Sequence, residues 1–394
     1  MSKRISKKQL PHFDVQEAVQ DINVMGRREW LIKMLTKAFY EARKGKIHTV
    51  DEHRYELAWI KNISRLADAI IERQYRPGAS VVFVVFDPMV REIFAAPFQD
   101  RVVHHFLYNM QVGWWDKRFI PNSFACRVNK GTLRASECCQ RDMIRITKNG
   151  KLSAKVFKGD IKGHFMSLKR EKLFNRVDWG LKQQFRPVMN SHNGKWLYYT
   201  CRFLWQQVLF DDPVERARRK GPLKLWDPEI LPTEKSLYHQ PKGQGIVIGN
   251  LTSQLVSNIF MDLFDRFVTI TLGYKFYGRY VDDFYIMVPE KDWPKFRRDL
   301  RKIESFLKNE MCLTLHPRKR HVQSVHKGVN FAGARVYLHC LYPSNRVQKR
   351  FEGAVARLAR GNGEIDTVVS YIGIMKHLNS ERYIQRVLDR LNGS

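Results

Sequence analysis

Apolar residues recur at spacings of three and four across residues 14 to 75, at Trp30, Leu31, Met34, Leu35 and Phe39 and again at Leu57, Ile60, Ile63, Leu66, Ile70 and Ile71, which predicts several helices. Pro77 and Gly78 end that region, and the β-branched run "VVFVVFDP" (81 to 88) predicts a strand. The segment 91 to 110 reads as an extended lead and then a helix from about Pro97, with His104 and His105 as ordinary helix residues. "VFKGDIKGHFMSL" (156 to 168) reads as a strand ending near Asp160, a turn, and a helix led by Ser167. From 185 to 243 the pattern weakens, and prolines at 213, 222, 228, 232 and 241 predict a partly irregular insertion that shapes or covers a site. "LTSQLVSNIFMDLFDRFV" (251 to 268) restores a helix, with Leu255, Ile259, Leu263 and Phe267 on its apolar face and Thr252 or Ser253 as N-cap. A charged helix (292 to 309), a strand pair around "LTLHPRKRHVQ" and "GVNFAGARVYL", and a helical region from about 345 complete an α+β pattern.

Between these elements, "KFYGRYVDDFYIMVP" (275 to 289) sets two adjacent acids in an apolar run. Its flanks read as strands, so the stretch predicts a hairpin with a tight turn at Val281-Asp282-Asp283. The turn is either ligand-free or a place where two carboxylates face a shared cation.

Composition narrows the choice. The chain has 394 residues, of which 44% are hydrophobic and 12% aromatic, enough for a sizeable core and more than one subdomain. Lys and Arg number 69 against 39 Asp and Glu, and the resulting charge of +30 implies a polyanionic partner, nucleic acid first. No apolar run approaches the roughly 20 residues of a spanning helix, and "MSKRISKKQLPHF" lacks the apolar segment of a secretory signal. Six cysteines without paired CxxC spacing indicate neither a zinc ribbon nor a disulfide framework, and a reducing cytoplasm is expected. Cys138 and Cys139 are expected to fill a helix core.

An acid at a strand end and an acid pair on a hairpin, in a basic chain, suit nucleotidyl transfer. Carboxylates there hold two Mg²⁺ ions roughly 4 Å apart, one activating a primer 3′-hydroxyl and one steadying the triphosphate leaving group. Asp160, Asp282 and Asp283 are the candidates.

Several motifs, in one order, resemble the reverse transcriptases. "YVDD" is similar to their Y-x-D-D hairpin, "DIKGHF" to the strand carrying their first metal-binding aspartate, and "IGNLTSQLVSNIF" to their glycine-led loop and helix beneath the incoming nucleotide. "REIFAAPFQDRVVHHFL" and "FIPNSFACRVNKGTLRA" resemble fingers motifs, "LHPRK" a palm segment offering a lysine, "GVNFAGARV" the primer grip, and "SYIGIMKHLNS" the thumb. The resemblance implies a right-hand polymerase fold with a small antiparallel palm sheet. Residues 1 to 75 would lead into fingers at 76 to 155, a palm at 156 to 343 and a helical thumb at 344 to 394. It implies that Asp160, Asp282 and Asp283, with Ile161 beside them, bind the metals, and that dNTPs are substrates. Arg127 and Lys130 would clasp the triphosphate, and Lys319 would sit near the leaving pyrophosphate. Phe165 would occupy the sugar side, with Ile248, Gly249 and Gln254 in the nucleotide loop. Tyr280, Val281, Arg346, Lys349 and Arg350 would contact nucleic acid.

Most relatives read Q-G-x-x-x-S-P where this chain has Ile248-Gly249-Asn250-Leu251-Thr252-Ser253-Gln254. "IGNLTSQ" and the preceding "KSLYHQPKGQGIVIGN" resemble the reverse transcriptases of diversity-generating retroelements. That subtype implies a prokaryotic or phage-encoded enzyme copying a template RNA into cDNA with errors opposite adenine, for transfer into a target gene. It also implies a small basic accessory protein, commonly a homopentamer. Another prokaryotic reverse transcriptase, of the group II intron, retron or phage-defence kinds, and a non-catalytic RNA-binding palm protein are the alternatives.

Overall fold

The computed structural model describes residues 10–44, 49–86 and 89–392, with side chains to 389. The N-terminal stretch before Leu10, where no secretory signal is predicted, and Asp87 and Pro88, the end of the first predicted strand, lie outside the described residues. Among the described residues are ten strands: β1 Val81–Val85, β2 Arg91–Ala95, β3 Ala154–Asp160, β4 Arg218–Arg219, β5 Tyr277–Tyr280, β6 Asp283–Pro289, β7 His321–Ser324, β8 Val329–Phe331, β9 Ala334–Val336 and β10 Leu341–Pro343. The chain divides into two compact units, Met1–Phe119 with Gly163–Leu263 and Met311–Leu313, and Ile120–Lys162 with Phe264–Glu310 and Thr314–Ser394.

The first unit is mostly helical. The periodic run 14 to 75 forms Val15–Met25, Arg27–Arg43, Val50–Leu57 and Trp59–Ile71. Asp14 caps the first by accepting from the amides of Gln16 and Glu17, and Gly26, at φ +87°, turns the chain into the second. Trp30, Leu31, Leu35 and Phe39 are buried as predicted, whereas Leu57 and Ile60 flank a helix break at Ala58 and are 89% and 69% exposed. Antiparallel β1 and β2, with β4 parallel to β1, form a small sheet, and the helix Phe98–Asp116 begins just after Pro97.

Three readings of this unit change. Residues 192 to 210, inside the predicted irregular insertion, form a helix capped by Ser191, with Leu197, Cys201, Leu204, Trp205 and Leu209 buried at helical spacing. Tyr198, Thr200 and Gly194 are buried as well, so apolar residues are spread around the helix and its stripe is blurred. Ser167 ends a single turn, His164–Ser167, and the long helix starts at Arg170. Thr252 and Ser253 lie buried inside the helix Leu251–Arg266 instead of capping it, and Thr252 shares its hydroxyl with His104 Nδ1 at 2.8 Å. The irregular chain proper follows Phe210. It is anchored by Glu92 of β2, whose buried carboxylate accepts from the Trp226 indole (3.3 Å), the Ser236 hydroxyl (3.1 Å) and the Leu237 amide.

The second unit is built on an antiparallel sheet of order β5-β6-β3-β7. β3 and β6 are buried along most of their length. The predicted pairing of the two segments after 310 does not form. β7 joins β3, while β8, β9 and β10 make a sheet of their own, because Ala332 and Gly333, both at positive φ, fold "GVNFAGARV" into its own hairpin. The helix Thr132–Ile146 closes this core with Cys138 and Cys139 buried, against Val156, Tyr285, Met287 and Phe331. The charged helix is Trp293–Asn309, with Phe296, Ile303 and Leu307 inward. Helices Asn345–Ala359, Ile365–Met375 and Glu381–Asn392 bury a separate cluster of Phe351, Val355, Val368, Met375 and Val387. No helix among the described residues is long and apolar enough to cross a membrane.

Asp142, on the helix Thr132–Ile146, accepts from Tyr285 Oη at 2.8 Å, and burial pushes its carboxyl up to about 6. The folded state therefore holds a proton that the unfolded chain releases near its ordinary carboxylate range, so stability falls as pH rises from about 4 to 6. Asp142→Asn should remove this slope. Urea unfolding of both proteins from pH 4.5 to 7.5 should show the variant gaining on the wild type by on the order of 2 kcal/mol, and a pH-independent difference would contradict it.

Candidate active site

The sheet register brings the first acid to the acid pair. Asp160, the last residue of β3, lies directly opposite Asp283, the first of β6, so both side chains leave the same face. Between Tyr280 and Asp283, which also pair, only Val281 and Asp282 form the loop. The turn is thus two residues long, and Asp283 belongs to the strand. Val281 takes φ +59°, a left-handed conformation that β-branched residues avoid, at a cost of about 1–2 kcal/mol. Gly159 leaves room for the Phe284 ring, whose Cζ would lie 2.6 Å from an added Cβ.

A fully buried ion pair supports this strained turn. Arg279 Nε and Nη2 donate to Asp265 Oδ1 (2.7 Å) and Oδ2 (2.8 Å), and neither side chain is exposed. Tyr277 Oη donates to Asp265 Oδ1 at 2.6 Å. The remaining Arg279 donors reach Ser123 Oγ (3.0 Å) and the Val281 carbonyl (2.8 Å), so the guanidinium grips the turn itself.

The acids crowd one another. Asp282 is pushed up to about 7, first by burial and then by Asp160, and Asp283 to about 6, by burial against the pull of Lys158. Two ammonium groups answer the charge: Lys319 Nζ lies 2.9 and 3.0 Å from the Asp160 oxygens, and Lys158 Nζ 3.1 Å from Asp283 Oδ1. Lys319 is delivered by the loop 314–319, which lies along the end of β3 through Lys162 N to Thr314 O (2.8 Å) and His316 N to Asp160 O (2.7 Å). Among the described residues no three His, Cys, Asp or Glu side chains are gathered tightly enough to hold a metal as they stand. As a donor set, three aspartates of which two resist ionisation suit a hard divalent cation, which would relieve the crowding once the lysines turn away.

The other predicted residues fall into four places. Ile161 is buried, and its amide donates to the Asp282 carbonyl at 3.2 Å, which ties the strand end to the turn; any role toward a metal falls to its own carbonyl. Tyr280 is half-buried against the core at the hairpin. Arg127 donates to the carbonyls of Ile120 and Ser123 (2.8 and 3.0 Å), and Lys130 to that of Pro121 (2.8 Å), in a loop laid along β5 by Phe124 N to Arg279 O at 3.0 Å. Phe165, Ile248, Gly249 and Gln254 belong to the first unit. There Ile246 N donates to Phe165 O (3.0 Å) and Phe94 N to Ile248 O (3.2 Å), and Ile248 packs on the cluster of Val82, Phe94 and Leu237. Gly249 (φ +123°) and Gln254 line a pocket of about 390 Å³ with Phe94, Arg101, His104 and His105. Arg346, Lys349 and Arg350 share a face at the start of Asn345–Ala359.

Lys158, Arg279, Asp265 and Ser123 went unread in the sequence. Lys158 carried a usable signal, since two residues before Asp160 on a strand is the same face. Arg279 and Asp265 carried a weaker one, each being a charge among residues otherwise buried.

Removing one partner of the buried pair leaves the other charge stranded. Arg279→Met and Asp265→Asn should each cost about 3–5 kcal/mol in chemical denaturation, whereas Val281→Gly should gain about 1 kcal/mol by relieving the turn. Losses under 1 kcal/mol for both charge variants would show that the pair does not brace the hairpin.

No family model matches the chain, and no curated protein matches it. Among solved structures it is similar to telomerase from Candida albicans in complex with a TWJ fragment of telomeric RNA, at 10% identity and a TM-score of 0.46, over 87% of this chain and 60% of that one. It is also similar to apo telomerase from Candida tropicalis, at 11% identity and a TM-score of 0.45, over 75% of this chain and 56% of that one. The chain therefore spans less than two thirds of the length of these telomerase chains.

Proposed function

We propose that this protein is an RNA-directed DNA polymerase of the diversity-generating kind. The observation that carries the reading is the register pairing of Asp160 with Asp283, with Asp282 on the adjoining turn, in a chain of charge +30. Asp160, Asp282, Asp283 and the Ile161 carbonyl would hold two Mg²⁺ ions. When bound, these ions supply an acidified primer 3′-hydroxyl and neutralise the triphosphate. Lys319, whose Nζ lies 2.9 Å from Asp160 Oδ1, would turn its ammonium toward the departing pyrophosphate and offset its charge. Arg127 and Lys130 would exchange their loop carbonyls for the phosphates of the incoming dNTP.

Template RNA and the RNA/cDNA duplex fit the C-terminal helices. The helix Asn345–Ala359 has no acid in its first turn, where Arg346 sets a cation against the positive end of the helix dipole, and Lys349 and Arg350 follow on the same face. A phosphate backbone would offset that cost. The diversity-generating assignment rests on "IGNLTSQ". Ile248 is half-buried among apolar neighbours and offers no polar group to a base, so a mispair there strands no hydrogen-bonding partner. A small basic accessory protein, as a homopentamer, and the element's own RNA are the partners of this reading.

Primer extension on a defined RNA with Mg²⁺, followed by cDNA sequencing, tests it. The expected result is cDNA with errors concentrated opposite template adenines, and a loss of at least about a hundredfold in Asp282→Asn and Asp283→Asn. Accurate cDNA would remove the diversity-generating assignment. No metal-dependent synthesis, even with accessory protein and cognate RNA, would remove the polymerase. The triple change of Arg346, Lys349 and Arg350 to Ala should weaken binding to an RNA/DNA duplex and lower the slope of log affinity against log salt by about two to three. An unchanged slope would place the duplex elsewhere.

A further inference from the structure

Lys158 belongs to no motif named above, yet it enters the candidate site from the middle of the sheet. β3 places it two residues before Asp160, on the same face, and opposite Tyr285 in β6, one diagonal step from Asp283. Its Nζ lies 3.1 Å from Asp283 Oδ1, and both side chains are 22% exposed. Of the two cations that act on Asp283, Lys158 and Lys319, Lys158 is the one in contact. Lys319 differs from it in kind, being on a loop, 51% exposed and engaged with Asp160. The ammonium of Lys158 therefore stands where a cation would meet Asp283.

Resting on the polymerase reading, we propose that Lys158 is a positioning residue that holds Asp283 neutralised until nucleotide arrives, so that a divalent cation reaches this carboxylate only by displacing the ammonium. A triphosphate gives that ammonium a second anion to move to, which frees Asp283 as the metal is delivered. The sequence of events involves no covalent step: one ion pair is exchanged for two, ammonium with phosphate and carboxylate with metal. Without nucleotide the site is then weak for metal, and metal affinity depends on the triphosphate. Without Lys158 the three carboxylates would attract a divalent cation in the absence of any nucleotide.

Mn²⁺ titration of the full chain without nucleic acid, read by electron paramagnetic resonance, tests this, with circular dichroism confirming that each variant is folded. Lys158→Met removes the charge and keeps the length; Lys158→Gln serves if that variant does not fold, and Lys158→Arg keeps the charge. Nucleotide-free Mn²⁺ affinity should rise about tenfold in Lys158→Met or Lys158→Gln and stay near wild type in Lys158→Arg. Inorganic triphosphate should tighten Mn²⁺ binding in the wild type by more than in Lys158→Met. An affinity within twofold of wild type in both charge-removing variants would overturn the role of Lys158. If Asp283→Asn leaves Mn²⁺ binding unchanged in both the wild type and the Lys158→Met background, the metal-site reading fails, and the role proposed for Lys158 goes with it.

Discussion

Burying Arg279 with Asp265 takes two full charges out of water, a desolvation cost of several kcal/mol per ion that a bare contact does not recover. Recovery comes from saturation: the carboxylate takes a two-point fork and the Tyr277 hydroxyl, and the guanidinium spends its other donors on Ser123 and the Val281 carbonyl. A neutral pair of similar volume could fill the space without fixing the turn. What the ion pair adds is geometry, because the same guanidinium that is held by Asp265 donates to the Val281 carbonyl. That bond helps hold the left-handed valine, and with it the position of Asp282.

The first unit uses a single carboxylate in a comparable way. Glu92 gathers the indole of Trp226, the hydroxyl of Ser236 and the amide of Leu237 onto β2, and two residues on the amide of Phe94 takes the carbonyl of Ile248. One short strand thus fixes both the start and the end of the chain running into Gly249. Arg219, stacked on Trp226 and Tyr238, shields the same carboxylate from the side.

What the sequence made legible, and what it hid, follows from how far apart the interacting residues lie. Helical periodicity in 27 to 43 and 293 to 309 and the apolar hairpin flanks are local signals, and they led to the right elements. The two adjacent aspartates of the hairpin and Asp160 at a strand end were readable because charge in an apolar setting is conspicuous. Pairing was not readable: β7 left its neighbour in sequence for β3, and Asp265, on the helix Leu251–Arg266, met Arg279 of β5 through tertiary packing that no local pattern encodes. The helix His192–Phe210 was hidden for the opposite reason, since burial around much of its circumference erased the contrast that periodicity needs.

The central position of β3 also bears on how the chain is made. Both of its partners come later in the chain, β6 from residue 283 and β7 from residue 321. At roughly 5–20 residues per second, a ribosome needs roughly ten to thirty seconds after β3 emerges to supply β7. Until β6 emerges, Val156 and Phe157, later fully covered, belong to a segment with no partner on either edge, and until β7 follows one edge stays open. The nascent chain therefore passes through an aggregation-prone stage set by sheet order alone, and its yield in a cell depends on what shelters that strand during translation.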